Sequence, residues 1–173
     1  MTQKTNPRRN RIIIASKEEA SALLTSQWKK EFKFVISFGA PGDELPDNLY
    51  ELNRDVCRIE VFDFPSMDHN NPYAPQPTDV ERIIEFGEKA LPTGELILCH
   101  CAAGISRSSA AAFILHCMDL GPGHEQEAAR RVMASRDIAW PNLRIVTFAD
   151  ELLERDGAMI DAFKWRFDTD PRL

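Results

Sequence analysis

The chain has 173 residues, 43% of them hydrophobic, which suits a single domain with one buried core. A formal net charge of -6 argues against nucleic acid or an anionic membrane surface as the main partner, and no apolar run approaches a membrane span. Four cysteines, one pair separated by a single residue, do not make a disulfide framework; they point to a reducing compartment and hence a cytoplasmic protein.

Residues 1 to 10 read as a disordered N-terminus carrying Arg8 and Arg9. Ile12-Ile13-Ile14 is too short for the apolar core of a signal peptide. The β-branched run from Arg11 to Ala15 predicts a first strand. Ser16, with Glu19 three residues on, predicts a capped helix running to about Ser26. Phe34 to Phe38 reads as a second strand, broken by Gly39-Ala40-Pro41-Gly42, with a short helical turn around Leu49 to Leu52. Cys57 to Phe62 alternates and predicts a third strand. Asp63 to Pro77 is a long polar loop containing Pro65, Pro72 and Pro75. Thr78 and Glu81 predict a capping box for the next helix, whose Val80, Ile83, Ile84, Gly87 and Leu91 keep helical spacing. Pro92-Thr93-Gly94 ends it, and Leu96 to His100 reads as a fourth strand.

Ala110 to Met118 is apolar on nearly all sides, which predicts a buried helix. An amphipathic helix follows over His124 to Ala134. Trp140-Pro141-Asn142 opens another, with Ile145, Val146, Ala149, Leu152 and Leu153 inward. Asp156-Gly157 interrupts, a last helix runs from Ala158 to Trp165, and 168–173 is a polar tail. Strands alternating with helices imply one α/β domain over 11–167. Its central, mostly parallel sheet has about four to five strands, with helices on both faces.

One stretch concentrates the chemistry: Leu96-Ile97-Leu98-Cys99-His100-Cys101-Ala102-Ala103-Gly104-Ile105-Ser106-Arg107-Ser108-Ser109. It reads as strand, tight loop and buried helix, at the strand ends where such sheets bind ligands. Gly104 permits a positive φ, so the loop can turn successive backbone N–H groups inward as an anion-binding nest. The helix starting near Ser106 adds its positive end, and Arg107 a planar fork for two anionic oxygens. Such a field favours a thiolate at the bottom of the cup. Other readings of the stretch are poorer. A purely structural cysteine leaves the glycine and arginine unexplained. Gly104-Ile105-Ser106-Arg107-Ser108 lacks the second glycine of a serine-hydrolase elbow. Cys99, His100 and Cys101 have no second ligand pair at zinc spacing, so no metal and no cofactor is expected.

The His-Cys-x5-Arg-Ser pattern resembles the signature of the cysteine-dependent protein tyrosine phosphatase superfamily, most closely its compact dual-specificity-like members. Arg136-Asp137-Ile138-Ala139-Trp140-Pro141-Asn142 is similar to the segment that follows the loop there, and the likeness runs from about Phe34 to Leu153. The resemblance implies hydrolysis of phosphate monoesters through a phosphocysteine on Cys101. Backbone N–H groups of Ala102, Ala103, Gly104, Ile105 and Ser106, with Arg107, would hold the phosphoryl oxygens. Ser108 would face the sulfur and stabilise it as a leaving group, although an ordinary first-turn serine fits equally. His100 would order the loop, and Asn142 would open a helix beside it. For the general acid, strand position favours Asp63 and spacing from the cysteine favours Asp68. His69, Asn70 and Tyr73 share that loop. Cys99 reads as core or as a resolving thiol, and His116 and Cys117 as core. Ala102, Ala103, Ile105 and Ser106 include no basic residue, which favours a singly phosphorylated protein, such as phosphotyrosine, or a small phosphomonoester. The rival readings are a phosphate-binding module without turnover and a rhodanese-like sulfurtransferase. Oligomeric state is not legible.

Overall fold

The structure, a computed structural model, describes residues 10–67 and 71–173. Four strands form one sheet: β1 (Ile12–Ser16), β2 (Phe32–Gly39), β3 (Asp55–Glu60) and β4 (Leu96–Cys101). Their order is β1-β4-β2-β3, and every neighbouring pair is parallel. Parallel neighbours need crossovers, and helices supply most of them. The crossover helices are α1 (Lys17–Thr25) and α2 (Pro77–Ala90); after β4 come α3 (Arg107–Leu120), α4 (Glu125–Ser135), α5 (Leu143–Leu152), α6 (Ala158–Ala162) and α7 (Lys164–Phe167).

Strand alternation divides the interior into two cores. Ile97, Cys99 and Cys101 of β4 join Ile14, Ile36 and Ile59 in the larger one, with Ile83 of α2, Phe113 and Ile114 of α3, and Val146 of α5. Leu98 faces the smaller core with Val35, Ala20 and Leu24. Every residue of α3 from Arg107 to Cys117 is buried, as its lack of a polar face requires. Among the described residues no helix is long and apolar enough to cross a bilayer.

Local chemistry fixes the boundaries. Ser16 Oγ accepts from Glu19 N at 3.1 Å and Glu19 Oε2 accepts from Ser16 N at 2.7 Å, the reciprocal cap anticipated for α1. The expected cap of α2 is displaced. The helix starts at Pro77, with Gln76 before it and Asp79 Oδ2 accepting from Gln76 N at 2.9 Å, so Thr78 and Glu81 are not the cap pair. Proline at the first helical position explains this, since its φ is preset and its missing N–H has no partner to lose. The helical turn anticipated near Leu49 is instead a run of turns with Asn48, Leu52 and Asn53 at φ of 58, 60 and 53°. The last predicted helix is two short ones, divided at Phe163.

His116 on α3 is buried, and neither ring nitrogen has a partner among the described residues. Burial, and secondarily Arg131, pushes its pKa down to about 4. The folded protein therefore keeps it neutral, while the unfolded chain takes up a proton near the ordinary value of 6.5. Between these values the unfolded state binds more protons, so stability falls as pH drops from 6.5 towards 4, by roughly 3 kcal/mol from this group. Urea midpoints measured across that window should fall for the native sequence and clearly less for His116→Leu. Parallel pH profiles would show that this ring does not titrate as its burial requires.

Candidate active site

The loop between β4 and α3 has its carbonyls tied outward. Ala102 O accepts from Lys17 N at 3.2 Å, Ala103 O from Arg136 Nη2 at 3.2 Å and Ile105 O from Trp140 N at 2.8 Å. Ser106 O accepts from Asn142 N at 3.2 Å and Ala110 N at 3.0 Å. Arg136 is itself held by both carboxylate oxygens of Glu19, each at 2.9 Å. Among the described residues, no amide from Ala103 to Arg107 donates to a protein acceptor. With its carbonyls engaged outside, the loop presents free donors inside, the arrangement of an anion nest. Gly104 permits the turn twice over. Its φ is +69°, and a Cβ there would lie 2.6 Å from Ala15 C and Ser16 N at the end of β1.

Cys101 forms the floor, 2% exposed, with its Sγ 3.1 Å from Ser108 Oγ. Arg107 Nη1 donates to Val61 O at 2.7 Å, while its buried Nε has no partner among the described residues, a donor suited to an anionic oxygen. His100 lies beneath the site, its Nε2 2.7 Å from Ser37 Oγ of β2, which also accepts from Arg58 Nη1 at 3.0 Å. Its Nε2 partner is thus on the neighbouring strand. Burial, reinforced by Arg58, pushes its pKa down to about 4, so at neutral pH the ring adds no charge to the cup. Cys99 is wholly buried, burial pushes its thiol well up, and it packs in the core.

Asp63 is brought to the rim. β3 ends at Glu60, but Val61 N donates to Gly39 O at 2.9 Å and Phe62 N to Tyr73 O at 3.0 Å, so the backbone leading to Asp63 stays fastened. Asp63 Oδ1 accepts from Ser106 Oγ at 2.6 Å and from Asn142 Nδ2 at 2.9 Å. Asn142 is fully buried and also caps α5, its Oδ1 accepting from Ile145 N at 3.1 Å. One side chain thus joins the loop, the aspartate and a helix. Arg144 on α5 is buried and donates to Pro75 O at 2.6 Å and Ser66 O at 3.0 Å, holding two points of the stretch that follows Asp63. Asp68, His69 and Asn70 lie outside the described residues. Tyr73 packs edge-on against Phe62 at 5.7 Å, and neither lines the cavity.

The cavity above Cys101 measures about 430 Å³. Its wall includes Ala102, Ala103, Ile105, Ser106, Arg107 and Asp63, all singled out in the sequence. It also includes Trp140, Asp170, Pro171 and Arg172, which were not given a role there. Trp140 lies in the Pro-Asn segment and so was within reach of sequence reasoning. The other three come from the polar stretch after α7 and carry no local signal.

No protein-family model and no curated protein matches the chain. Solved structures do. Human DUSP28 superposes with a TM-score of 0.65 at 18% identity, covering 85% of this chain and 90% of its own. The human tyrosine phosphatase-like serine/threonine/tyrosine-interacting protein gives 0.64 at 19%, covering 84% and 92%. A mouse putative dual specificity phosphatase, in complex with zinc tungstate, gives 0.59 at 20%, covering 92% and 96%. At such identities the likeness is one of fold, and it is the fold the loop signature implied.

If Gly104 sets the loop, Gly104→Ala should abolish oxyanion binding through the clash with β1. Titration with inorganic phosphate or tungstate, followed calorimetrically, checks this. Affinity kept within about twofold would mean that the nest forms without a glycine.

Proposed function

We propose that this chain, folded as the compact cysteine-dependent phosphatases are, hydrolyses phosphate monoesters through a phosphocysteine on Cys101. The observation that carries the reading is the cup itself: a sulfur at the floor of a ring of unpaired loop amides, with a buried Arg107 Nε at its side. A tetrahedral dianion satisfies these donors together, and their fixed positions stabilise the charge that spreads over the phosphoryl oxygens in the transition state.

The chemistry follows in two steps. The Cys101 thiolate attacks phosphorus, the S–P bond forms as the ester P–O bond breaks, and Asp63 gives its proton to the departing oxygen. Water then attacks the phosphocysteine, Asp63 takes the water proton, and the S–P bond breaks to return the thiolate and release phosphate. Ser108 Oγ, 3.1 Å from the sulfur, donates to it as it leaves. Asn142 and Ser106 hold Asp63 Oδ1, which leaves Oδ2 as the oxygen to exchange the proton.

The variable loop residues are uncharged, and Ile105, Trp140 and Pro171 supply apolar wall, so the site suits a singly phosphorylated aryl ester such as phosphotyrosine in a protein. A buried nucleophilic thiol with no disulfide nearby suits a reducing, cytoplasmic setting.

Cys101→Ser should abolish hydrolysis of phosphotyrosine and of p-nitrophenyl phosphate while keeping phosphate binding, because the loop amides and Arg107 remain. Retained turnover in that variant rules out the phosphocysteine. If the native protein binds phosphate but turns over neither ester, the cup is a binding module. If it turns over thiosulfate, it is a sulfurtransferase.

The acid is tested through the leaving group. Asp63→Asn should slow phosphotyrosine hydrolysis by roughly 10²–10⁴-fold and the nitrophenyl ester by clearly less, since nitrophenolate departs with little need of a proton. Asp68→Asn should leave both rates near those of the native chain. The reverse pattern would move the acid to Asp68.

A further inference from the structure

The stretch after α7 reaches the active-site wall by a packed route. Phe163 and Phe167 are buried, with Phe163 edge-on to Phe113 of α3 at 4.9 Å. The Arg166 guanidinium lies over both the Trp140 ring, at 4.7 Å, and the Trp165 ring, at 4.3 Å, and Nη2 donates to Asp137 O at 3.2 Å. The chain is thereby pinned to the segment that precedes α5, and it delivers Asp170, Pro171 and Arg172 to the cavity.

Within this stretch Arg172 is held by a fork. Nε donates to Asp170 Oδ1 at 2.9 Å and Nη2 to Asp170 Oδ2 at 2.7 Å. The Asp170 side chain is 1% exposed, and a buried carboxylate so paired fixes the plane of its guanidinium. The Arg172 hydrogen bond holds the Asp170 carboxyl below its ordinary range. The remaining nitrogen, Nη1, reaches Asp63 Oδ2 at 3.2 Å and Ser106 Oγ at 3.4 Å. Asp63 Oδ1 is already taken by Ser106 and Asn142, so Arg172 touches the one carboxylate oxygen left to face a substrate. Both partners are about a third exposed, so solvent screens this pair; its contribution is direction more than stability.

We propose that Arg172 is a positioning residue for Asp63, steering its second carboxylate oxygen, Oδ2, to the leaving-group side of the cavity. The inference rests on the phosphatase reading, with Asp63 as its acid. Asp170 is the anchor that makes the steering geometric, because it occupies two of the three guanidinium nitrogens. Only the third can follow Asp63, and lysine can replace the charge but not the fork.

The test uses the full chain and two substrates, phosphotyrosine and p-nitrophenyl phosphate. Arg172→Gln still offers Asp170 a hydrogen-bond donor but gives up the fork, so the fold is kept while Asp63 loses its third contact. It should lower kcat for phosphotyrosine roughly 10- to 100-fold, leave KM within about twofold and barely change the nitrophenyl rate. Arg172→Lys should recover part of the loss. In an Asp63→Asn background, Arg172→Gln should cost nothing further, since two residues acting as one unit are not additive. Equal losses on both substrates, a loss in KM alone, a faster enzyme, or full additivity with Asp63→Asn would each overturn the proposal. Absence of turnover in the native chain would instead overturn the phosphatase reading on which it stands.

Discussion

Everything at the site depends on the direction in which one short loop spends its hydrogen bonds. A peptide unit that gives its carbonyl to a partner on one side presents its N–H on the other. Lys17, Arg136, Trp140 and Asn142 each take a loop carbonyl from outside, and they come from two distant parts of the chain. A run of amides without protein partners is unfavourable, so a loop with this polarity persists because its surroundings hold it. The Glu19–Arg136 pair shows how far that support extends. Glu19 caps α1 and steadies the arginine that holds Ala103 O, so the start of the first helix and the rim of the cup share one carboxylate.

Gly104 is where the sheet and the loop meet at closest range. The contact with Ala15 and Ser16 places the end of β1 directly behind the turn. The sheet order accounts for this, since β1 is the edge neighbour of β4 and its last residue pairs with Cys101. Sheet register, the turn conformation and the position of the sulfur are therefore one constraint seen at three scales.

Much of this was legible in the sequence wherever the information is local. The run Cys101 to Arg107 carries its own pattern of small residues, glycine and arginine, and Ser16 with Glu19 announces a cap at fixed spacing. Asn142 was legible by resemblance, as the start of a helix beside the loop. The hydrogen bond from Asn142 to Asp63 was not, because it depends on how two distant loops meet. Ser37, the partner of His100, was hidden for the same reason: it lies across the sheet, and only strand order brings it near. Asp170 and Arg172 were least legible. A polar stretch without periodicity reads as solvated, and it is the aromatic packing of Phe163 and Phe167 that turns it towards the cavity. The α2 cap lies elsewhere than expected because the Thr78–Glu81 spacing competes with a proline that begins the helix two residues earlier.

Arg144 gives the site a property that a list of its contacts does not express. A guanidinium buried in the core grips carbonyls at Ser66 and Pro75, two points of the stretch that follows Asp63, and stacks on Phe148 at 5.2 Å. Those two points are thereby built into the same interior as the helices, and their stance is set when the chain folds. A surface stretch anchored in this way takes its contour from the core behind it, so a substitution buried at Arg144 would be felt on the outside of the molecule, beside Asp63.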